Sequence, residues 1–87
     1  MNKLKEITIK LDFPIQLPDR LVEEVTIRRP IMANMLDNPI AGDRDMKGEM
    51  KLYSALTGLH VEDLRLMDFS DYGRLQESFA SFRSSAE

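Results

Sequence analysis

The chain carries one histidine and no cysteine, so it offers few starting points for catalysis or metal binding. His60 has no second histidine with which to share a transition metal, and a site there would depend on carboxylates alone. A serine–histidine–acid triad can be assembled on paper from Ser54 or Ser70 with Asp63. Neither serine lies in the strained turn that exposes a nucleophile. The sequence therefore predicts a loop or helix-junction position for His60 and no enzymatic activity.

Two acidic stretches raise the question of a bound cation. The run 43–48 superficially resembles a calcium loop, but Lys47 at its fifth position repels a cation, and Ser54 stands where a bidentate glutamate belongs. A second acidic group is better explained by helix starts, where negative charge is favourable. Its members are Glu62, Asp63, Asp68 and Asp71. The glycines are scattered, so there is no phosphate-binding loop. We predict neither a metal nor a cofactor.

Methionine is the residue type that points most directly to binding. Six methionines are many for 87 residues, and methionine is over-used at adaptable binding surfaces because it is flexible and polarizable. Two interpretations stay open at this point. The methionines fill the core between strands and helices, or some of them are exposed in a peptide-binding groove. The candidate protein-binding residues are Met32, Met35, Leu36, Met46, Met50, Arg28 and Arg29.

Length and composition limit the chain to one small domain. The hydrophobic share of 43% and the charged share of 31% are those of an ordinary soluble globular protein. No apolar run approaches the ~20 residues that cross a bilayer, and the first residues lack the apolar core of a signal peptide. Without cysteine there is no disulfide framework. A cytoplasmic protein is the simplest interpretation.

The first third of the chain predicts two β-strands. Residues 5–11 alternate strictly between apolar and polar, which is typical of a half-buried strand. Proline cannot donate to a ladder, so Pro14 and Pro18 are predicted to lie in a connection. A second strand follows and stops at Pro30, and the short connection requires antiparallel pairing. The positions predicted to share one face are Ile7, Ile9 and Leu11 on the first strand, and Glu23, Val25 and Ile27 on the second.

The remainder predicts short helices with apolar stripes. Residues 31–38 form one, 61–64 a single turn, and longer helices lie between and after them. The predicted caps are Asp43 at the start of the second helix, Gly58 at its end, and Asp68 or Ser70 at the start of the last. The predicted inward positions are Ile31, Met32, Met35 and Leu36, then Met46, Met50, Tyr53 and Leu56, and finally Tyr72, Leu75, Phe79 and Phe82.

These elements predict an α+β fold in which an N-terminal antiparallel two-stranded β-hairpin packs against three to four short α-helices. A hairpin this small is marginal unless helices cover one face. We expect a single domain over residues 1–87, with the hairpin at 5–29, the helical part at 31–83 and a frayed tail at 84–87.

The order and spacing of these segments resemble the tail assembly chaperones of Mu-like and related contractile-tailed phages, a family found in bacterial prophages. The resemblance covers roughly residues 6–82. The segments that carry it are Ile7–Pro14, Thr26–Pro30, Leu56–Leu59, Val61–Leu64, Met67–Tyr72 and Leu75.

The resemblance implies a non-enzymatic role. Such proteins bind the tape measure protein before tail tube polymerisation and keep its apolar helical segments soluble. The implied partner is therefore the tape measure protein, with a frameshifted long form of the same protein as a further partner. Self-association is expected on a separate ground, because an exposed edge of the two-stranded hairpin can pair with another copy. Neither nucleic acid nor membrane is implied. The implied location is the cytoplasm of the bacterial host, and the protein is not expected in the mature virion.

The alternative is a small prophage-encoded nucleic-acid-binding regulator. It requires a concentrated basic surface, because phosphate neutralisation supplies most of the affinity. The net charge is −3, and only Lys10, Arg20, Arg28 and Arg29 could converge. Neighbouring residues on a strand point to opposite faces, so Arg28 and Arg29 cannot form a one-sided clamp. We expect one of them to pair with the acidic helix starts at 62–71 instead.

Overall fold

The chain folds as a β-hairpin followed by four helices within residues 4–84, the part that the computed structural model describes. The elements are β1 (Glu6–Gln16), β2 (Leu21–Arg28), α1 (Met32–Asp37), α2 (Met46–Thr57), α3 (Val61–Leu64) and α4 (Phe69–Ser84). This order confirms the predicted α+β fold with its N-terminal antiparallel hairpin. Residues 85–87 of the predicted frayed tail lie outside the described residues.

β1 is longer than the sequence predicts because it continues through a bulge. Pairing with β2 is interrupted between Lys10 and Ile15. Within the interruption, residues 11–14 stand opposite a single residue of β2, Glu23. The placement of Pro14 in a connection was wrong, because the chain is still extended there. A bulge accommodates proline since its residues leave the hydrogen-bonded ladder.

The core lies between one face of the hairpin and the helices, with α2 packed on β2 and α4 on β1. The inward face of β1 agrees with the alternation. On β2, Val25 and Ile27 are buried as predicted, but Glu23 is exposed and Val22 is buried in its place, because the bulge shifts the register. The buried apolar residues are Ile9, Leu11, Ile15, Leu17, Val22, Val25, Ile27, Leu52, Tyr53, Leu56, Leu59, Leu64, Met67, Tyr72, Leu75 and Phe82.

Helix α2 has a defined cap at each end. Asp45 caps its start: the carboxylate accepts the N–H of Gly48 at 3.0 Å and that of Ala41 at 2.8 Å. The prediction of Asp43 was wrong by two residues. The hydrogen bond from Ala41, and then that from Gly48, lowers the pKa of Asp45. A Cβ on Gly48 would overlap the Asp45 carboxylate. Gly58 ends the helix with φ +81°, the left-handed conformation that was predicted.

Helix α4 begins after Asp68, one of its two predicted caps. The Asp68 carboxylate accepts the hydroxyl of Ser70 and, at 3.0 Å, its backbone N–H. The bond from the Ser70 side chain, and then that from its backbone, lowers the pKa of Asp68. A negative charge there also complements the helix dipole. The start of α4 is thus fixed locally, before any tertiary contact.

Candidate functional site

A fully buried carboxylate joins the first turn of α4 to the bulge of β1. Asp71 is 0% exposed. One of its oxygens accepts the N–H of Asp12 at 3.1 Å, and the other accepts that of Phe13 at 3.0 Å. The Arg74 guanidinium donates to Asp71 at 3.0 Å, lies 3.3 Å from the Asp12 carboxylate and donates to the carbonyl of Lys10. We call this arrangement the Asp71 clamp. Since both oxygens of Asp71 are engaged within the chain, its role is structural.

The two adjacent arginines lie at the C-terminal ends of helices. Arg28 donates to the carbonyl of Ala55 in the last turn of α2 at 2.7 Å. Arg29 donates to the carbonyl of Phe82 near the end of α4 at 3.2 Å, and its guanidinium lies 5.7 Å from the centroid of the Phe82 ring. Helix C-termini carry partial negative charge that favours cations. The expected pairing with the acidic helix starts was therefore wrong.

The basic residues of the hairpin do not converge on a nucleic-acid surface. Arg28 and Arg29 are engaged with carbonyls. Arg20 lies 3.3 Å from the carboxylate of Asp19, and Lys10 stands opposite a glutamate in the ladder. None of these contacts favours the alternative of a nucleic-acid-binding regulator.

The histidine and serines that could have formed a catalytic triad make separate contacts. His60 is exposed and precedes α3. The hydroxyl of Ser54 donates to the carbonyl of Leu59, and that of Ser70 donates to Asp68. Within residues 4–84, no group of three or more histidine, aspartate or glutamate side chains is arranged to hold a metal ion. None of the helices in that range is long and apolar enough to cross a membrane.

A partly buried group of polar and aromatic side chains connects α2 to α4. The hydroxyl of Tyr72 donates to Glu49 at 2.8 Å, and the side-chain amide of Gln76 donates to the same oxygen at 2.9 Å. The Tyr53 ring packs 5.7 Å from that of Tyr72 and 5.4 Å from that of Phe79. Burial raises the pKa of both tyrosines, and the neighbouring charge of Glu49 raises it further.

An open apolar groove of about 250 Å³ lies between α3 and the first turns of α2 and α4. Its lining residues are Met46, Met50, Leu64, Arg65, Met67, Phe69 and Tyr72; we call it the methionine groove. Leu64, Met67 and Tyr72 are buried in its floor. Phe69 is 85% exposed and Met46 51%. Exposed apolar surface gathered in one concavity, with a charged group at its edge, is typical of a protein-interaction site.

The second apolar surface is the outer face of α1, which consists of Ile31, Met32 and Leu36. These side chains are 66%, 68% and 73% exposed, so their predicted inward orientation was wrong. Only Met35 packs against the core, and it is half-buried. A helix of six residues has fewer than two turns, so only a narrow stripe of its surface faces the core.

A protein-family model matches residues 8–84, almost the whole chain, and describes phage tail assembly chaperone proteins, E, or 41 or 14. The chain belongs to this family. A search of the curated proteins and a search of the solved structures gave no match. The match confirms the resemblance found in the sequence, and membership of a chaperone family implies a non-enzymatic role. Both apolar surfaces of the chaperone lie inside the matched span.

The predicted protein-binding residues of the chaperone are divided among four places. Met46 and Met50 line the methionine groove, Met32 and Leu36 lie on the outer face of α1, and Met35 packs inward. Arg28 and Arg29 hold helix ends. The methionines are therefore divided between core and surface.

Five groove residues were not among the predicted binding residues, namely Leu64, Arg65, Met67, Phe69 and Tyr72, and Phe69 is the most exposed apolar side chain among them. It lies three residues before Tyr72, where the apolar spacing of α4 would continue, yet it is 85% exposed. The signal that could have identified it is its position directly after the Asp68 cap. A residue at the first helical position lies beyond the end of the stripe that packs on the hairpin.

Proposed function

We propose that this tail assembly chaperone binds the tape measure protein and keeps it soluble until the tail tube polymerises. The observation that carries the proposal is the methionine groove, an apolar concavity with buried side chains in its floor and exposed Phe69 and Met46 beside them. On this proposal the chaperone acts in the cytoplasm of the host carrying the phage or prophage, and it is absent from the mature virion.

The chemistry of the groove suits an apolar helix. Helical ligands insert anchors from one face, at spacings of three and four residues, into apolar grooves. The flexible side chains of Met46 and Met50 can adapt to different anchors along a long partner. Arg65, at the edge, can pair with a carboxylate on the polar side of that helix. A partner with many successive apolar helical segments can therefore be held by many copies of one small protein.

The direct test is co-expression with the tape measure protein of the same phage or prophage. We expect the soluble fraction of the tape measure protein to increase and a complex to survive size-exclusion chromatography. Unchanged solubility together with no complex would reject the proposed function.

The position of the contact is tested by matched double variants. Phe69→Ser with Met46→Ser removes the exposed apolar side chains of the methionine groove, and we expect at least about a tenfold loss of affinity. Met32→Ser with Leu36→Ser makes the same kind of change on the outer face of α1 and should preserve binding. If the α1 pair abolished binding and the groove pair did not, the groove would be the wrong surface.

A further inference from the structure

The outer edge of β2 is open for pairing. The N–H of Arg29 donates to the carbonyl of Lys5 at 2.7 Å, which makes these two residues a hydrogen-bonded pair. Antiparallel ladders alternate hydrogen-bonded and non-hydrogen-bonded pairs. The residues of β2 whose backbone groups point away from β1 are therefore Glu24, Thr26 and Arg28. The same alternation directs the Lys10 carbonyl outward on β1, where it accepts from Arg74.

The two edges of the hairpin thus differ. The second half of the outer edge of β1 is covered by α4, because the Asp71 clamp takes the N–H groups of Asp12 and Phe13 and the carbonyl of Lys10. Within residues 4–84, β2 pairs with β1 and with no other strand. An open groove of about 390 Å³ runs beside its first half, lined by Arg20, Leu21, Val22, Glu23, Glu24 and Leu59. An uncovered edge of this kind is a template for another strand.

The charges along this edge are complementary to themselves. Residues 23–29 read Glu-Glu-Val-Thr-Ile-Arg-Arg. The two acidic residues lie two and three positions before Thr26, and the two basic residues lie two and three positions after it. When two copies pair antiparallel about Thr26, Glu24 of each copy lies opposite Arg28 of the other, and Thr26 lies opposite itself. Each of these residues has outward-pointing backbone groups, so the charge match and the hydrogen-bond alternation agree in this register.

We propose that β2 pairs antiparallel with β2 of a second copy of this chain, about a two-fold axis at Thr26. The resulting four-stranded sheet has the order β1-β2-β2-β1, and both helical layers lie on the same face of it. Such self-complementary contacts are the rule in closed dimers. Extending the sheet also relieves the marginal stability of a two-stranded hairpin.

The side chains needed for this contact are accessible. Glu24 and Arg28 are both exposed. Arg28 uses one terminal nitrogen to reach the carbonyl of Ala55, and a guanidinium has five N–H donors, so others remain for a carboxylate. Glu23 comes opposite Arg29, whose guanidinium is already engaged with Leu4 and Phe82, so that pair contributes less.

The test is a charge-exchange experiment on the full chain, followed by sedimentation velocity over a range of concentrations. Glu24→Lys and Arg28→Glu each place like charges opposite each other twice in the symmetric dimer. We expect either variant to raise the dissociation constant by about tenfold or more. A mixture of the two variants should dimerise again, because each altered residue then faces an opposite charge. Glu77→Lys, on an exposed position of α4, is the matched control and should dimerise normally.

Circular dichroism verifies that each variant is folded. Arg28→Glu also loses the contact with Ala55, and Glu24→Lys also faces Lys10 across the hairpin; if Arg28→Glu unfolds, Glu24→Lys decides the test alone, provided that its circular dichroism is unchanged. A wild-type chain that stays monomeric at the highest concentrations overturns the proposal, as does a dimer that Glu24→Lys leaves intact. The readout needs no tape measure protein, so it is independent of the function proposed above.

Discussion

Two residues in the first turn of α4 contrast sharply. Asp71 is polar and 0% exposed, whereas Phe69 is apolar and 85% exposed. The usual distribution of polar and apolar side chains is reversed there. Asp71 is tolerated inside because each oxygen has a hydrogen-bond donor, and a buried carboxylate is costly without one. Phe69 is outside because it lies beyond the end of the core stripe.

The contrast shows that different residues of α4 have different roles: Asp71 holds the fold together, and Phe69 presents an apolar surface. If the first turn of α4 moved against β1, the buried Asp71 carboxylate would lose its hydrogen-bond donors. The Asp71 clamp therefore holds this turn in place. Phe69 and the methionine groove are consequently presented on a fixed element, and binding sites on rigid elements are positioned more accurately than those on loops. The apolar surface can adapt through its methionine side chains while its backbone stays in place.

The largest effect is expected from breaking the clamp. Asp71→Ala leaves the N–H groups of Asp12 and Phe13, and the Arg74 guanidinium, without their acceptor. We expect a loss of about 3 kcal/mol in the free energy of unfolding, measured by urea denaturation. Asp71→Asn keeps one carbonyl oxygen and should lose less. A change below about 1 kcal/mol for the alanine variant would show that the clamp does not hold the fold.

An intermediate effect is expected from alkaline pH acting on Tyr53 and Tyr72. Their pKa values are raised in the folded chain, so the folded state favours the protonated form. This contribution to the stability of the folded state is fully present below pH 10, the ordinary pKa of tyrosine. It decreases above pH 10 because the two tyrosines ionise in the unfolded chain. For two such tyrosines, the free energy of unfolding falls by about 2 kcal/mol between pH 10 and pH 11.

The control for this prediction is Tyr72→Phe, because these two are the only tyrosines. Its alkaline loss should be about half that of the wild type, compared by denaturation at each pH. An identical pH dependence in both chains would mean that ionisation of other groups, and not of the buried tyrosine, causes the change.

The smallest effect is expected on the apolar surfaces. Phe69→Ser and Leu36→Ser should each change the free energy of unfolding by less than about 0.5 kcal/mol, because both side chains are mostly exposed. Thermal and urea denaturation of the two variants measure this. A loss above about 1.5 kcal/mol for Phe69→Ser would assign it to the core and remove the contrast with Asp71.

Local features of the fold were predictable because their causes are local. Pro30 ends the hairpin, Gly58 takes the left-handed cap, and Asp68 starts α4, each for reasons contained within a few residues. The backbone contacts of Asp71, Arg28 and Arg29 were not, since their partners are from 25 to 59 residues away. No periodicity reports which backbone groups a distant side chain will meet.

The candidate site was predictable only in part for the same reason. An excess of methionine indicated an adaptable surface, but the assignment of individual methionines depends on how helices pack. Met46 and Met50 reach the groove because α2 crosses near α3 and α4. Met32 and Leu36 turn outward because α1 is too short to bury more than one stripe.

The Asp71 clamp also has a consequence for the order of events during synthesis. Its carboxylate meets backbone groups 58 and 59 residues earlier in the chain. At translation rates of about 5–20 residues per second, Asp12 and Phe13 leave the ribosome roughly 3 to 12 seconds before Asp71, the residue that completes the bulge. During that interval the N–H groups of Asp12 and Phe13 are bound to water. The hairpin is therefore locked in place only when α4 has been made.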